Sequence, residues 1–328
     1  MDINTINNLQ LVRQRGFSLI ELMIAVPFGL LVMLAVLQVF TANIQSVNLQ
    51  NAYSRVQENG RVATELMIRD IRTADYWGCI RDTSLIVNHL DTTDPDYDAA
   101  LMSSGGSGVA GEDNVSSKTI ASINVKDDTD TLTLRGAGSF SGVKVVPPYM
   151  TPNAAAIHIN TGVNIAKGQI ILISDCTGAD LFSNTAGNTF NSGSIIHNTG
   201  ALPVAGAVAN AIKPMSHTYE TSAQIMIPHV KTYFIGQNSG SSFSLFRSDN
   251  GVASELVRGV NDLQLVYGED TNGNGSADSF SNAASVTDMD TVRSVRLSLV
   301  ADSGDSSSGT TLERTYSITA NIRNRTLQ

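Results

Sequence analysis

The pattern of apolar and polar positions changes twice along the chain. After a short polar stretch, Asp2 to Gly16, an apolar run extends from Phe17 to Phe40 with Glu21 as its only charge. From Leu22 to Ser54 no charged residue occurs. A helix over Phe17–Phe40 would be about 36 Å long, enough to cross a hydrocarbon layer of about 30 Å. Further on, Ile44, Val47, Ala52, Val56, Ala63, Met67, Ile71 and Ala74 recur at near-helical spacing with polar residues between them. The spacing predicts one helix from Phe17 to about Ala74, spanning about 87 Å. Pro27 and Gly29 are expected to kink or loosen its apolar half.

From about Ile80 the helical period gives way to short strands. Thr131–Leu134 alternates, and Gln169–Ser174 is a continuous apolar run suited to a buried strand. Lys231–Ile235 and Ser244–Arg247 flank an Asn/Ser/Gly-rich turn and read as a hairpin. Leu263–Tyr267, Val295–Leu299 and Tyr316–Ile322 alternate with period two. Asp91–Lys118 and Cys176 to about Asn210 read as loops, and no internal repeat is present. The expected class is α+β: a long N-terminal helical spine and a large, mostly antiparallel β head. The expected divisions are a leader over 1–16, a helix over 17–75 and a head over 76–328. A head of about 250 residues can bury its own core.

Composition narrows the setting. Hydrophobic residues make up 42%, an ordinary globular share, but charged residues only 16%, below the usual quarter. A surface rich in Ser, Thr, Asn and Gly suits an extracellular or periplasmic β-rich protein. The net charge of −9 excludes a broadly basic nucleic-acid-binding surface. The 5 His and 2 Cys are scattered, with no His pair at i, i+4 and no Cys-x-x-Cys, so the usual zinc frameworks are absent. Outside the cytoplasm, Cys79 and Cys176 most simply form one disulfide joining the spine to the sheet, for which chain-entropy models give at most about 4.7 kcal/mol. The alternative is two buried thiols.

The boundary at the start of the apolar run carries the most specific signal. A secretory signal peptide would have a shorter apolar stretch followed by a small-residue cleavage site, and the run here is longer. A plain anchor fits the length but leaves Glu21 unexplained, because a carboxylate in a spanning helix is costly unless paired. Arg13 and Arg15 place the N-terminus in the cytoplasm. Arg15-Gly16-Phe17-Ser18-Leu19-Ile20-Glu21 resembles the class III signal of type IV prepilins. The resemblance implies cleavage between Gly16 and Phe17 by a prepilin peptidase, N-methylation of Phe17, and a role for Glu21 in assembly. Glu21 would there meet the N-terminal amine of a neighbouring subunit, pairing a buried carboxylate.

Gln57-Glu58-Asn59-Gly60-Arg61 and Ile68-Arg69-Asp70-Ile71-Arg72-Thr73-Ala74-Asp75-Tyr76-Trp77-Gly78-Cys79 resemble the end of the helix in PilW-type minor pilins. Those chains usually carry Ala or similar where Gly60 stands. Glycine in a helix interior costs about 1 kcal/mol relative to Ala, so local fraying is expected there.

Two glycine-rich motifs remain. Asp270-Thr271-Asn272-Gly273-Asn274-Gly275-Ser276-Ala277-Asp278 matches the first nine positions of a Ca²⁺ loop, with Asp270, Asn272, Asn274, Ser276 and Asp278 as ligand candidates. Ser281 replaces the bidentate Glu, so any Ca²⁺ affinity would be weak; the alternative is a plain Asn/Gly turn between strands. Gly106-Ser107-Gly108-Val109-Ala110-Gly111 matches a dinucleotide fingerprint by letter, but it follows no strand pattern and opens no helix, so it reads as a chance match. No nucleophile elbow or P-loop occurs, and no enzyme is expected.

The resemblance thus implies a minor pilin forming a tip-proximal complex that starts type IV pilus assembly. Its partners would be other minor pilins, the major pilin, the prepilin peptidase and the inner membrane, with the head periplasmic before assembly and on the pilus afterwards. A large J-type minor pseudopilin of type II secretion is the nearest alternative. A membrane-tethered extracytoplasmic enzyme or adhesin is the alternative of another class.

Overall fold

A computed structural model describes residues 16–99, 107–187, 189–237, 242–303 and 312–325. Arg13, Arg15 and Gly106 lie outside the described residues. One helix, α1, runs unbroken from Leu19 to Thr73, through Pro27 and Gly60. The strands are β1 (Ile86–Asn88), β2 (Val109–Val115), β3 (Thr119–Ile120), β4 (Ile123–Val125), β5 (Thr129–Ser139), β6 (Ala156–His158), β7 (Ile170–Ser174) and β8 (Ala179–Ser183). They continue with β9 (Ser194–Ile196), β10 (Gln224–Gln237), β11 (Phe243–Asp249), β12 (Val252–Arg258), β13 (Val260–Glu269), β14 (Ser279–Ser281), β15 (Val292–Asp302) and β16 (Glu313–Asn321). The fold is α+β, as the periodicity implies.

The chain divides into two compact units, residues 1–52 and 53–328. Within the first, α1 from Leu19 to Asn51 is exposed throughout. Within the second, a 10-stranded sheet has the main order β1-β8-β7-β10-β11-β12, and a 4-stranded sheet has the order β14-β13-β15-β16. Pairing is antiparallel except for β1 with β8. The expected hairpin is β10–β11, in register from Lys231↔Asp249 to Gln237↔Phe243.

One core joins the head's stretch of α1 to both sheets. Val56, Ala63, Met67, Ile71 and Ala74 cluster with Leu132, Leu134, Tyr233 and Leu245 of the large sheet and with Leu265, Tyr267, Leu297 and Leu299 of the small one. The spacing of these helical residues keeps them on one face, and fully burying each large one contributes about 1.5–3 kcal/mol.

Three local expectations are corrected. The stretch 91–118 is not all loop, because β2 lies within it; its sequence lacks alternation, and pairing with β5 shapes it, with a register shift between Glu112 and Val115. The stretch from Cys176 to Asn210 contains β8 and β9, and β8 is buried at every position, so period two is invisible there. Gly60 causes no break in α1. A Cβ there would overlap the Tyr316 ring, and the Tyr316 hydroxyl donates to the Val56 carbonyl at 3.2 Å. The glycine lets an aromatic side chain lie against the helix backbone.

Candidate functional site

The N-terminal elements are simple. Gly16 and Phe17 precede α1 and are exposed, Phe17 at 85%. The Ser18 carbonyl accepts the N–H groups of Glu21 at 3.0 Å and Leu22 at 3.2 Å, closing the first turn. Glu21 stands in that turn, where a carboxylate complements the helix dipole. From Leu19 to Phe40 the large apolar side chains are exposed, and the helix is long and apolar enough to cross a membrane.

The far end of α1 is fastened by the residues that follow its apolar stripe. Asp70 is buried and receives the Lys231 ammonium at 3.1 Å, the Tyr233 hydroxyl at 2.7 Å and the Arg247 guanidinium at 3.3 Å. Burial pushes the Asp70 carboxyl up, but the bonds from Tyr233 and Lys231 outweigh it and hold it below the usual carboxylate range. Asp75 ends the helix with φ at 59°, the left-handed conformation common at helix ends. Its carboxylate receives the Trp77 indole N–H at 2.8 Å and Arg325 at 2.5 Å.

The chain then turns through Gly78, φ 84°, into Cys79. Cys79 and Cys176 form a disulfide with a Cα–Cα distance of 4.8 Å. Cys176 lies in the turn between β7 and β8, so the bond joins the helix exit to the large sheet. The Ser174 hydroxyl donates to the Trp77 carbonyl at 2.9 Å and reinforces the junction.

The same turn rests on a polar network. Asp180 is fully buried and accepts from the Ser216 hydroxyl at 2.7 Å and the Tyr219 hydroxyl at 2.6 Å, with His89 Nε2 at 2.6 Å. Burial raises the Asp180 carboxyl, yet these bonds hold it below its ordinary range; Tyr219 is pushed up by its own burial and by Asp180. His217 bridges Ser216 and Asp175 at 2.9 Å each. Nearby His197 is buried with neither ring nitrogen hydrogen-bonded among the described residues. Its burial lowers its pKa to about 4.

The glycine-rich loop after β13 is closed by its own donors. Asp270 accepts the N–H groups of Gly273 at 2.8 Å, Asn274 at 3.1 Å and Gly275 at 2.8 Å, and pairs with Arg293 at 3.1 Å. Burial pushes the Asp270 carboxyl up; the Gly275 N–H and the Arg293 guanidinium more than reverse this, leaving it below the usual range. Asn272 and Asn274 accept the N–H groups of Asn274 and Ser276 at 3.0 Å and 2.8 Å, and Asp278 accepts that of Thr271 at 2.9 Å. Among the described residues no group of three or more His, Cys, Asp or Glu is suited to a metal. These N–H groups and the Arg293 guanidinium shape the loop as a turn into β14. The fingerprint-like glycines have a packing role: a Cβ on Gly108 would overlap Asp75, and one on Gly111 the Tyr267 hydroxyl.

The contacts of Asp70, Asp75 and Asp180 have little signature in the local sequence. Their partners lie far along the chain, 161 residues for Asp70–Lys231 and 91 for His89–Asp180. The only local signal was a carboxylate on the apolar side of the helical stripe, at Asp70.

Comparison with known proteins bears on both ends of the chain. Residues 11–26 match the prokaryotic N-terminal methylation motif, which includes Gly16, Phe17 and Glu21. With the apolar helix, this match points to a type IV pilin-like protein and a structural pilus component. Residues 232–324, from β10 through β16, match type IV pilus-assembly protein W. The two matches together support a PilW-like type IV pilin. No curated protein and no solved structure matches the chain.

Proposed function

We propose that this protein is a minor pilin, cut between Gly16 and Phe17, N-methylated at Phe17, and built into a tip-proximal complex that starts pilus assembly. The observation that carries this reading is the uncovered apolar stretch of α1, with Glu21 as its only charge, inside a methylation motif. Such a surface requires apolar surroundings, supplied first by the inner membrane and then by helices of other minor pilins and the major pilin. Glu21 would dock there on the amine of a neighbour. The bulky head suits a position above the last shaft subunit, where no helical repeat constrains it.

Replacing Gly16 with a bulky residue should leave unprocessed precursor in the membrane. Mature protein beginning at Phe17 in that variant would sink the prepilin reading. The initiating role is tested by stoichiometry in sheared pili and by piliation of a deletion strain. Expected are a few copies per pilus and few or no pili without the gene. Abundance equal to the main subunit, or normal pili in the deletion, would overturn it.

A further inference from the structure

The small sheet ends on β16, and no strand among the described residues pairs with its outer side. The ladder fixes which backbone groups lie open. The Ser303 N–H donates to the Leu312 carbonyl at 3.0 Å, and the Ile322 N–H to the Arg293 carbonyl at 2.9 Å. Between them the register with β15 is unbroken, from Asp302↔Glu313 to Ser294↔Asn321. Alternation of bonded pairs turns the N–H and C=O groups of Arg314, Tyr316, Ile318 and Ala320 toward β15. Those of Glu313, Thr315, Ser317, Thr319 and Asn321 point outward.

Exposed edges are normally blunted by charge, proline or a bulge. The other long edge follows that rule: β12 carries Glu255 and Arg258, and its ladder shifts between Leu245 and Phe246. Between Thr315 and Ala320, β16 has no charge and no proline, and its ladder is regular.

The two faces of this edge differ. On the helix-facing side, the buried row Val295, Leu297 and Leu299 continues into half-buried Tyr316 and into Ile318, which is 40% exposed. Thr315, Ser317 and Thr319 are exposed on the other side. Arg314 stacks over Tyr316 at 5.3 Å and forms no ion pair among the described residues. An antiparallel second copy of β16 would set no carboxylate against Arg314, because the strand's only acid, Glu313, has its side chain on the opposite face.

We propose that the open edge of β16 takes one strand from a neighbouring, non-identical pilus subunit. That strand is extended and amphipathic. Its apolar residues cover Tyr316 and Ile318, its polar residues lie beside Thr315 and Ser317, and it carries a carboxylate facing Arg314. The inference rests on the reading of the chain as a pilus subunit.

The test uses the full chain in cells that assemble it, with a photo-cross-linking p-benzoylphenylalanine at Thr315 and, as a control, at Val252. Cross-links from position 315, mapped by mass spectrometry, should fall on a strand of another prepilin-type subunit. Ser317→Pro removes an outward N–H and leaves the bonds to β15 intact; it should cut that cross-link at least tenfold, whereas Ser317→Ala leaves it unchanged. Arg314→Glu, which alters no backbone bond, should cut it several-fold and serves if the proline variant fails to fold. Cross-links only to a second copy, to a helix or to nothing, or cross-links indifferent to the folded variants, overturn the inference. The N-terminus and the sheared pili are analysed in the same cells. A chain that begins at Phe17 and enters pili without the cross-link overturns the strand addition alone. A chain that is neither processed nor present in pili overturns the pilus reading and this inference with it.

Discussion

The first unit and the head treat apolar side chains in opposite ways. Over Leu19–Phe40 a large apolar side chain such as Leu31 is 61% exposed. In the head, Met67, Ile71, Leu132 and Leu297 are at 0%. The head also satisfies its buried charges internally: Asp70 by Lys231, Tyr233 and Arg247, and Asp180 by His89, Ser216 and Tyr219. The contrast separates two kinds of information in one chain. The head encodes its own stability, whereas the N-terminal stretch encodes a requirement for surroundings.

The sharpest way to break this contrast is to weaken the head alone. Cys79→Ser should lower its stability by about 2–5 kcal/mol, read by thermal melting of the detergent-solubilised chain. It should leave membrane retention unchanged. An unchanged melting temperature would mean that the disulfide adds nothing to the packing around it.

Acid should act on the head through His197. Its pKa of about 4 in the fold lies below the ordinary value near 6.5. The unfolded chain therefore binds this proton first as pH falls, and stability is lost between about pH 6.5 and 4. The loss approaches about 3 kcal/mol at the lower limit. His197→Phe should flatten that part of the melting-versus-pH curve, and an unchanged slope would assign the effect elsewhere.

Gly60→Ala tests packing against propensity. Propensity alone favours Ala by about 1 kcal/mol. The overlap with Tyr316 reverses the sign, and a loss of about 1–2 kcal/mol is expected. Tyr316→Ala in the same chain should restore the gain from Ala; a stabilising single variant would show that the ring moves aside freely.

The smallest effect on the head comes from the other region. Leu31→Asn should shift head melting by less than about 0.5 kcal/mol, while lowering membrane retention in a carbonate wash. Equal retention would mean that this stretch tolerates polar groups in its surroundings.

Much of this architecture was legible in the sequence, and the reasons are physical. Periods of 3.6 and 2 reported the head's stretch of α1, β13 and β15 because each turns one face to the core, and β16 because its apolar row continues theirs. β8, buried throughout, and β2, shaped by its partner, carry no such period. The disulfide was legible because there are only two cysteines, and the boundary at Gly16 and Phe17 because its residues are contiguous. The Asp75–Arg325 pair was not, because it depends on a contact between residues 250 apart. Gly60 read as a weakness, since the aromatic ring that needs it lies 256 positions further on, at Tyr316 (316 − 60).

The Asp75–Arg325 pair and the Tyr316–Val56 hydrogen bond, 260 residues apart, also set a schedule for biogenesis. The ribosome makes the helix well before the residues that close over it. At synthesis rates of about 5–20 residues per second, the stripe from Val56 to Ile71 waits on the order of 10–50 seconds for β13, β15 and β16 to emerge. The core around that stripe can therefore close only after β16 has emerged. Until then the stripe is an uncovered apolar face, and a holding chaperone has its longest opportunity to bind there.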